Sequence, residues 1–242
     1  MREEVLKVIS NEPIAKDTYK MVLCGAAEKQ KAGQFVEIKL DGFTLRRPFC
    51  VADQDGDRIS VVYKVLGAGT RAMTEIKEGE ELNTLTSLGN GFNLTLCDRP
   101  LLIGGGLGIA PLLYLAKELK RQGKSIDIIL GAKNKDELIL IDEFSKFCNV
   151  YPATDDGSLG FKGNTVALAL TVEGDYDGYY ACGPEIMLKN LSKLSIDGEI
   201  SMEARMGCGF GACMGCSIKT TGGYKRVCKE GPVFMRSEVL YE

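Results

Sequence analysis

The chain has 242 residues, 45% of them apolar and 26% charged, with a formal net charge of −3, a balance ordinary for a soluble protein long enough to form two compact domains. Acidic and basic residues are mixed along it, which excludes a broad nucleic-acid surface, and its longest apolar stretches, around 109–116 and 166–172, are far too short to span a bilayer. It contains no histidine, so histidine triads, histidine-ligated zinc and Rieske centres are excluded as well.

The start, Met1 to Val8, carries no long apolar run, so no secretory leader is expected and the expected compartment is the cytoplasm. Residues 1–98 read as β. Glu4–Ser10, Thr18–Leu23, Phe35–Leu40 and Arg58–Lys64 are short runs of β-branched or alternating apolar residues, punctuated by Lys31-Ala32-Gly33-Gln34, Asp41-Gly42 and Asp55-Gly56-Asp57. Strands at this spacing predict a sandwich or a small antiparallel barrel. Arg46-Arg47-Pro48-Phe49-Cys50-Val51 follows one of them; taken alone, its two arginines read as solvated loop charges. Gly67-Ala68-Gly69-Thr70 reads as a glycine turn opening a short helix at Arg71–Ile76.

Near Arg99 the period changes. Pro100–Ile103 is a buried strand and Gly104–Gly108 a glycine turn. Ile109, Leu112, Leu113, Ala116 and Leu119 then share one helical face, with Pro111 in the first turn, where its missing N–H costs nothing. Ser125–Leu130, Val150–Ala153 and Gly178–Cys182 read as further strands. Asp136–Phe147, Asn164–Leu170 and Pro184–Leu194 read as helices. That alternation predicts a parallel sheet with crossovers. The expected division is a β domain over 1–98, an α/β domain over 99–195 and a small cysteine-bearing segment over 196–242.

Glycines between a strand and a helix let backbone approach a pyrophosphate at the positive end of the helix dipole. The G-x-G-x-x-G fingerprint fails here, leaving Gly106-x-Gly108-x-x-Pro111. Cys182-Gly183-Pro184 makes a second strand-to-helix turn at the same carboxyl edge, where ligands of such sheets bind.

Nine cysteines are an odd number for a disulfide framework, and four crowd the C-terminal end. Cys208, Cys213 and Cys216 are spaced Cys-x4-Cys-x2-Cys, the spacing of plant-type [2Fe–2S] sites, and Cys228 follows. Glycines at 207, 209, 211 and 215 let the backbone wrap a cluster with N–H groups aimed at its sulfurs. Four thiolates also suit tetrahedral zinc, but a zinc ribbon pairs two Cys-x2-Cys knuckles and only one stands here. Cys24, Cys50, Cys97 and Cys148 read as small buried apolar residues. Cys182 reads either as one more of these or as a group at the nucleotide site.

Taken in order, Arg47-Pro48-Phe49-Cys50, Gly67-Ala68-Gly69-Thr70, Gly106-x-Gly108-x-x-Pro111 and Cys182-Gly183-Pro184 resemble the ferredoxin–NADP reductase superfamily from end to end. Glu203 through Cys216, then Val227-Cys228-Lys229-Glu230-Gly231-Pro232-Val233-Phe234, are similar to the electron-transfer subunits of type B dihydroorotate dehydrogenase. The resemblance implies FAD in the β domain, held by Arg47, Pro48, Phe49, Cys50, the strand end Val62-Tyr63-Lys64, Gly69 and Thr70. Cys50 departs from the superfamily's usual serine. The resemblance further implies NAD as electron acceptor at Gly106, Gly108, Pro111, Cys182, Gly183 and Pro184, and a [2Fe–2S] cluster on Cys208, Cys213, Cys216 and Cys228.

No acid–base dyad is expected, because flavin and cluster carry the electron chemistry. With no visible domain for a pyrimidine, the chain is expected to be one subunit. Its implied partner is an FMN-containing dihydroorotate dehydrogenase catalytic subunit, in a heterotetramer of two of each. Similar layouts occur in subunits of ferredoxin:NADP⁺ oxidoreductase and sulfide dehydrogenase, and a zinc-stabilised nucleotide-binding regulator is the non-enzyme alternative.

Overall fold

Six strands make a barrel of the first ninety residues. In the computed structural model, which describes residues 1–241, its strands are β1 (Arg2–Ala15), β2 (Thr18–Cys24), β3 (Phe35–Ile38), β4 (Arg47–Asp55), β5 (Arg58–Lys64) and β6 (Glu81–Leu88). They close antiparallel in the order β1-β2-β5-β4-β3-β6. Closure leaves no free edge, so every strand finds two neighbours.

Two of these strands fall where none is expected. Along β6, buried residues alternate with more exposed ones from Leu82 to Leu88. β4 takes up Arg47–Cys50 and pairs them with Ile38–Phe35 of β3, so the expected loop is a strand. Arg46, just before it, donates to the Asn83 carbonyl at 3.0 Å and pairs with Glu3 at 2.9 Å. The short helix α1 (Ala68–Met73) begins three residues ahead of its expected start.

The α/β half runs β7 (Pro100–Gly105), α2 (Ile109–Arg121), β8 (Asp127–Ala132), α3 (Ile141–Ser145), β9 (Asn149–Thr154), β10 (Phe161–Lys162), α4 (Thr165–Ala169), β11 (Gly178–Cys182), α5 (Glu185–Asn190) and β12 (Gly198–Ser201). The hairpin β13 (Ser217–Thr220)–β14 (Gly223–Arg226) and the strand β15 (Val233–Met235) follow. The sheet order is β10-β9-β8-β7-β11-β12-β15, parallel except for β15. β12 and β15 of the C-terminal segment therefore complete the sheet of the nucleotide half.

The helix expected over 136–147 survives only as a 3₁₀ turn at Lys135–Glu137 and the short α3. Leu138, Ile139 and Leu140 are all buried, and the helix breaks where Leu138 is extended and Leu140 turns the chain at φ 63°. Asn134 caps the 3₁₀ turn, accepting the N–H groups of Asp136 and Glu137. The helix expected over 184–194 likewise ends at Asn190 and continues as a 3₁₀ turn.

Successive residues of the sheet face opposite ways. Leu102, Ile128, Leu130, Tyr180 and Cys182 pack with α2 and the barrel interior. Leu101, Ile103, Ile129, Tyr179 and Ala181 pack with α4, α5 and the C-terminal segment. No helix among the described residues is long and apolar enough to cross a membrane.

The barrel meets the sheet along α2. Tyr114 donates to the Gln30 carbonyl at 2.9 Å, Lys117 pairs with Asp53 at 2.5 Å, and Lys29 pairs with Glu118 at 2.7 Å. A fourth tie runs from Lys64 to Glu137 at 3.0 Å. The other oxygen of Asp53 is buried without a partner, so Lys117 is what compensates this carboxylate. Replacing Lys117 by methionine is expected to cost about 1–3 kcal/mol. Denaturant unfolding measures the loss, and adding Asp53→Asn to the variant is expected to restore most of it.

Candidate functional site

The two strand-to-helix turns expected to share a ligand are in backbone contact. A Cβ on Gly108 would run into the Cys182 carbonyl and the Gly183 nitrogen, and one on Gly183 would come within 3.1 Å of the Gly105 nitrogen. Only residues without side chains let β7 and β11 bring their ends this close. Gly106, at φ 56°, faces open space, and Pro111 is buried in the first turn of α2.

Beside these turns lies a cavity of about 560 Å³, a size suited to a small-molecule ligand. Gly105, Gly106 and Pro184 form one wall, Thr165 and Asn164 another, and Lys133, Asp155 and Lys193 stand at its charged margin. Asp155 belongs to residues 154–158, which resemble the loop beyond a central strand in the family the sequence is similar to; Lys133 and Lys193, at the ends of other elements, were not legible as site residues. The bare turns and the volume together fit a dinucleotide.

On the barrel side, Arg47 and Gly69 come together. The Arg47 guanidinium stands 5.0 Å from the Phe43 ring, donates to the Leu45 carbonyl at 2.5 Å, and fills the space a Cβ on Gly69 would need. The Thr70 hydroxyl accepts the Leu66 and Gly67 N–H groups at 2.9 and 3.2 Å, fixing the turn. A half-exposed arginine on a glycine turn offers what a diphosphate needs: a planar donor and close backbone.

Phe49 packs against Tyr63 with ring centroids 5.9 Å apart, and Tyr63 donates to Asn11 at 2.9 Å. Val62 is buried and Lys64 is engaged with Glu137.

Cys50 of β4 and Cys182 of β11 approach each other across the junction of the two halves. Burial, then Glu203, pushes the Cys50 thiol up to about 12. Burial, then Cys50 and Glu203, also raises that of Cys182 well above the ordinary thiol value. Both are neutral thiols, suited to crowding a flat ring rather than to attacking one. Glu203 itself reaches solvent while its carboxyl is raised by surrounding protein.

The C-terminal thiols are arranged by backbone. Cys208 Sγ accepts the N–H groups of Ala212 and Cys213 at 3.2 and 3.4 Å, and Cys216 Sγ accepts that of Cys228 at 3.4 Å. Burial opposes ionisation of Cys208, yet these donors, with the Phe210 N–H and the Cys213 thiol, bring it down to about 6. Burial and the nearby Cys216 and Cys208 push Cys228 up to about 12. Such crowding of thiols is relieved by bound cations.

Gly209 and Gly211 adopt φ 72° and 93°, and Cβ atoms on Gly207 and Gly215 would lie 3.3 and 3.6 Å from Cys213 Sγ. Among the described residues no three cysteine or acidic side chains close on a single ion position. N–H donors aimed at sulfur and bare glycine backbone fit an iron–sulfur cluster.

Two charged residues beside this loop carried no sequence signal. Arg226 donates to the Gly211 carbonyl at 2.6 Å and forks onto Glu230, whose carboxyl it holds down at about 2. Glu37 of β3 is 1% exposed, has one oxygen without a partner, and occupies the space beside Gly209. Burial, then Cys208, raises its carboxyl to about 7 against the pull of Arg46.

Family models match two parts of the chain. One described as the iron–sulfur cluster binding domain of dihydroorotate dehydrogenase B matches residues 203–240, and one described as the oxidoreductase NAD-binding domain matches 102–193. A protein of Caldanaerobacter subterraneus subsp. tengcongensis named dihydroorotate dehydrogenase B (NAD(+)), electron transfer subunit, is 41% identical over 97% of each chain. A protein of the same name from Fusobacterium nucleatum is 42% identical over the whole of both. A chain from a structure of the NADH-dependent reduced ferredoxin-NADP oxidoreductase is 31% identical, with a TM-score of 0.87 over 98% of this chain and 90% of that one.

Gly108→Ala drives a methyl group into backbone that cannot yield. About 1–3 kcal/mol of destabilisation and at least a tenfold weaker NADH dissociation constant are expected, read from unfolding curves and equilibrium binding. For Glu37 the folded value lies above the ordinary carboxyl value of 4.5, so ionisation opposes folding as pH rises from about 4.5 through 7. Glu37→Gln is expected to leave the unfolding midpoint nearly unchanged at pH 5 and to raise it at pH 8.

Proposed function

The chain belongs to the family of dihydroorotate dehydrogenase B electron transfer subunits, and from that membership we propose a seat for each of its cofactors. Its function is to pass electrons from a catalytic subunit to NAD⁺ during dihydroorotate oxidation, in pyrimidine biosynthesis. When bound, FAD and a [2Fe–2S] cluster supply the chemistry, the flavin exchanging electrons in pairs or singly and the cluster carrying one.

Cys208, Cys213, Cys216 and Cys228 hold the cluster. The observation that carries this reading is the set of backbone N–H groups already directed at Cys208 and Cys216 sulfur, which compensate the negative charge that four thiolates bring. Arg47, Gly69 and Thr70 hold the FAD diphosphate. Pro48, Phe49, Cys50, Val62, Tyr63 and Lys64 form the strand ends against which the flavin rests. Gly106, Gly108 and Pro111, with Cys182, Gly183 and Pro184, receive the nucleotide of NAD. These groups orient cofactors and exclude water; none moves a proton as a catalytic acid or base. The corresponding segments are 1–98 for FAD, 99–195 for NAD and 196–242 for the cluster, the last also lending β12 and β15 to the nucleotide sheet.

The partner is a catalytic subunit bearing FMN. Phe210 and Met214 on the cluster loop, and Tyr224 on the adjoining hairpin, are exposed, which supports docking of that subunit over the cluster. Two chains of each kind form the assembly, a stoichiometry supported by the family resemblance. All nine cysteines are free, which supports work in the reducing cytoplasm.

A second reading, a subunit of an NADH-dependent ferredoxin:NADP⁺ oxidoreductase, is favoured by the likeness to that solved structure. Isolation of the native complex separates the two by the partner that accompanies the chain.

Anaerobic purification with the catalytic subunit is expected to yield flavin and iron–sulfur absorption that NADH bleaches. Dihydroorotate is expected to bleach it only when that subunit is present. Absence of iron would overturn the assignment, and Cys228→Ser is expected to remove most of the iron while leaving FAD bound.

A further inference from the structure

The loop that carries three of the four sulfurs has little apolar packing of its own. Across from it, the turn that carries Cys228 is organised around Arg226. The Arg226 carbonyl accepts N–H groups from Lys229 at 3.1 Å, Glu230 at 2.9 Å and Gly231 at 3.3 Å. Its own N–H donates to Glu230 Oε2 at 2.8 Å, and its Nε donates to the same oxygen at 3.0 Å. Nη2 donates to Glu230 Oε1, while Nη1 crosses to the Gly211 carbonyl at 2.6 Å.

Gly211 permits this approach from below as well, since a Cβ there would lie 3.0 Å from the Lys229 Cβ. One guanidinium thus spans the turn of the fourth cysteine and the middle of the loop of the other three. Two of its arms engage a carboxylate and the third a carbonyl. Lysine, with a single ammonium, cannot reproduce that fork.

We propose that Arg226 is a positioning residue for the cluster, which holds the Cys208–Cys216 loop against Cys228 and raises the potential at which the cluster accepts an electron, with Glu230 opposing part of that charge. This inference rests on the cluster reading above.

The electrostatic half follows from the sign of the charges. An added electron makes the centre more negative, so a fixed cation nearby stabilises the reduced form and a fixed anion destabilises it. A partly exposed ion pair between residues four apart adds little to folding by itself. Here the pair is anchored to the backbone of the loop, so its field stays fixed relative to the sulfurs.

The test is an EPR-monitored redox titration of the complex co-purified with its catalytic subunit, for the parent, Arg226→Gln, Arg226→Lys and Glu230→Gln, with iron counted per chain. The cluster potential is expected to move negative in Arg226→Gln and positive in Glu230→Gln, with the FAD potential unmoved. Arg226→Lys is expected to keep a potential near that of the parent but to lose iron faster under a chelator.

A merely structural role predicts iron loss without opposite shifts. Shifts of the same sign, or no shift in Glu230→Gln, overturn the proposal even if Arg226→Gln fails to retain its cluster. A parent complex without iron instead overturns the cluster reading itself, so the two failures are distinguishable.

Discussion

Backbone meets backbone where the glycine turn after β7 lies against the turn after β11. Gly108 lies directly against the Cys182–Gly183 peptide, and nothing larger than hydrogen fits between them. That contact aligns the carboxyl ends of β7 and β11, opens the cavity beside Gly105 and Gly106, and sets Cys182 at the margin of the barrel. Gly105 and Gly106 leave their part of the cavity wall bare of side chains, which lets a pyrophosphate approach main-chain N–H groups.

The same economy recurs at the other end of the chain. A loop of glycine, cysteine and methionine has almost nothing to bury, and its order comes from hydrogen bonds to sulfur and from a few charged neighbours. Arg226 lies on one side, and the buried Glu37 on the other reaches out from the barrel. Barrel and cluster-bearing segment therefore meet at Gly209, at φ 72°, and again at Asn90, which is bonded to Gly231 and Val233. A side chain at position 209 would run into the Glu37 carboxylate.

Much of this was readable from spacing alone. The two glycine turns, the parallel strands and the four C-terminal cysteines carry local signatures, because each requires particular residue types at fixed intervals. β4 was hidden because its chemistry-bearing residues, Arg47 through Cys50, look like a charged loop; only pairing with β3 makes them a strand. β6 carried a period-two pattern, but two of its four buried positions are Thr84 and Thr86, so the alternation lacked a continuous apolar face. The helix expected over 136–147 is broken in the backbone itself, where Leu138 is extended and Leu140 turns left-handed, and no local sequence signal marks either turn. Glu37 and Arg226 were invisible as site residues, since their roles arise from neighbours distant in sequence.

β12 and β15 give the cluster-bearing tail a place in the sheet rather than beside it. Cutting the chain at 195 would strip β11 of its neighbour on that side and bare a row of unsatisfied peptide groups beside Tyr179 and Ala181. Such an edge invites pairing with a second molecule, so a shortened flavin reductase made this way would be prone to self-association. Conversely, the tail transplanted onto another reductase would need a host whose last parallel strand accepts two more. The wiring of this chain is thus built into its framework, and cannot be unplugged as a detachable module.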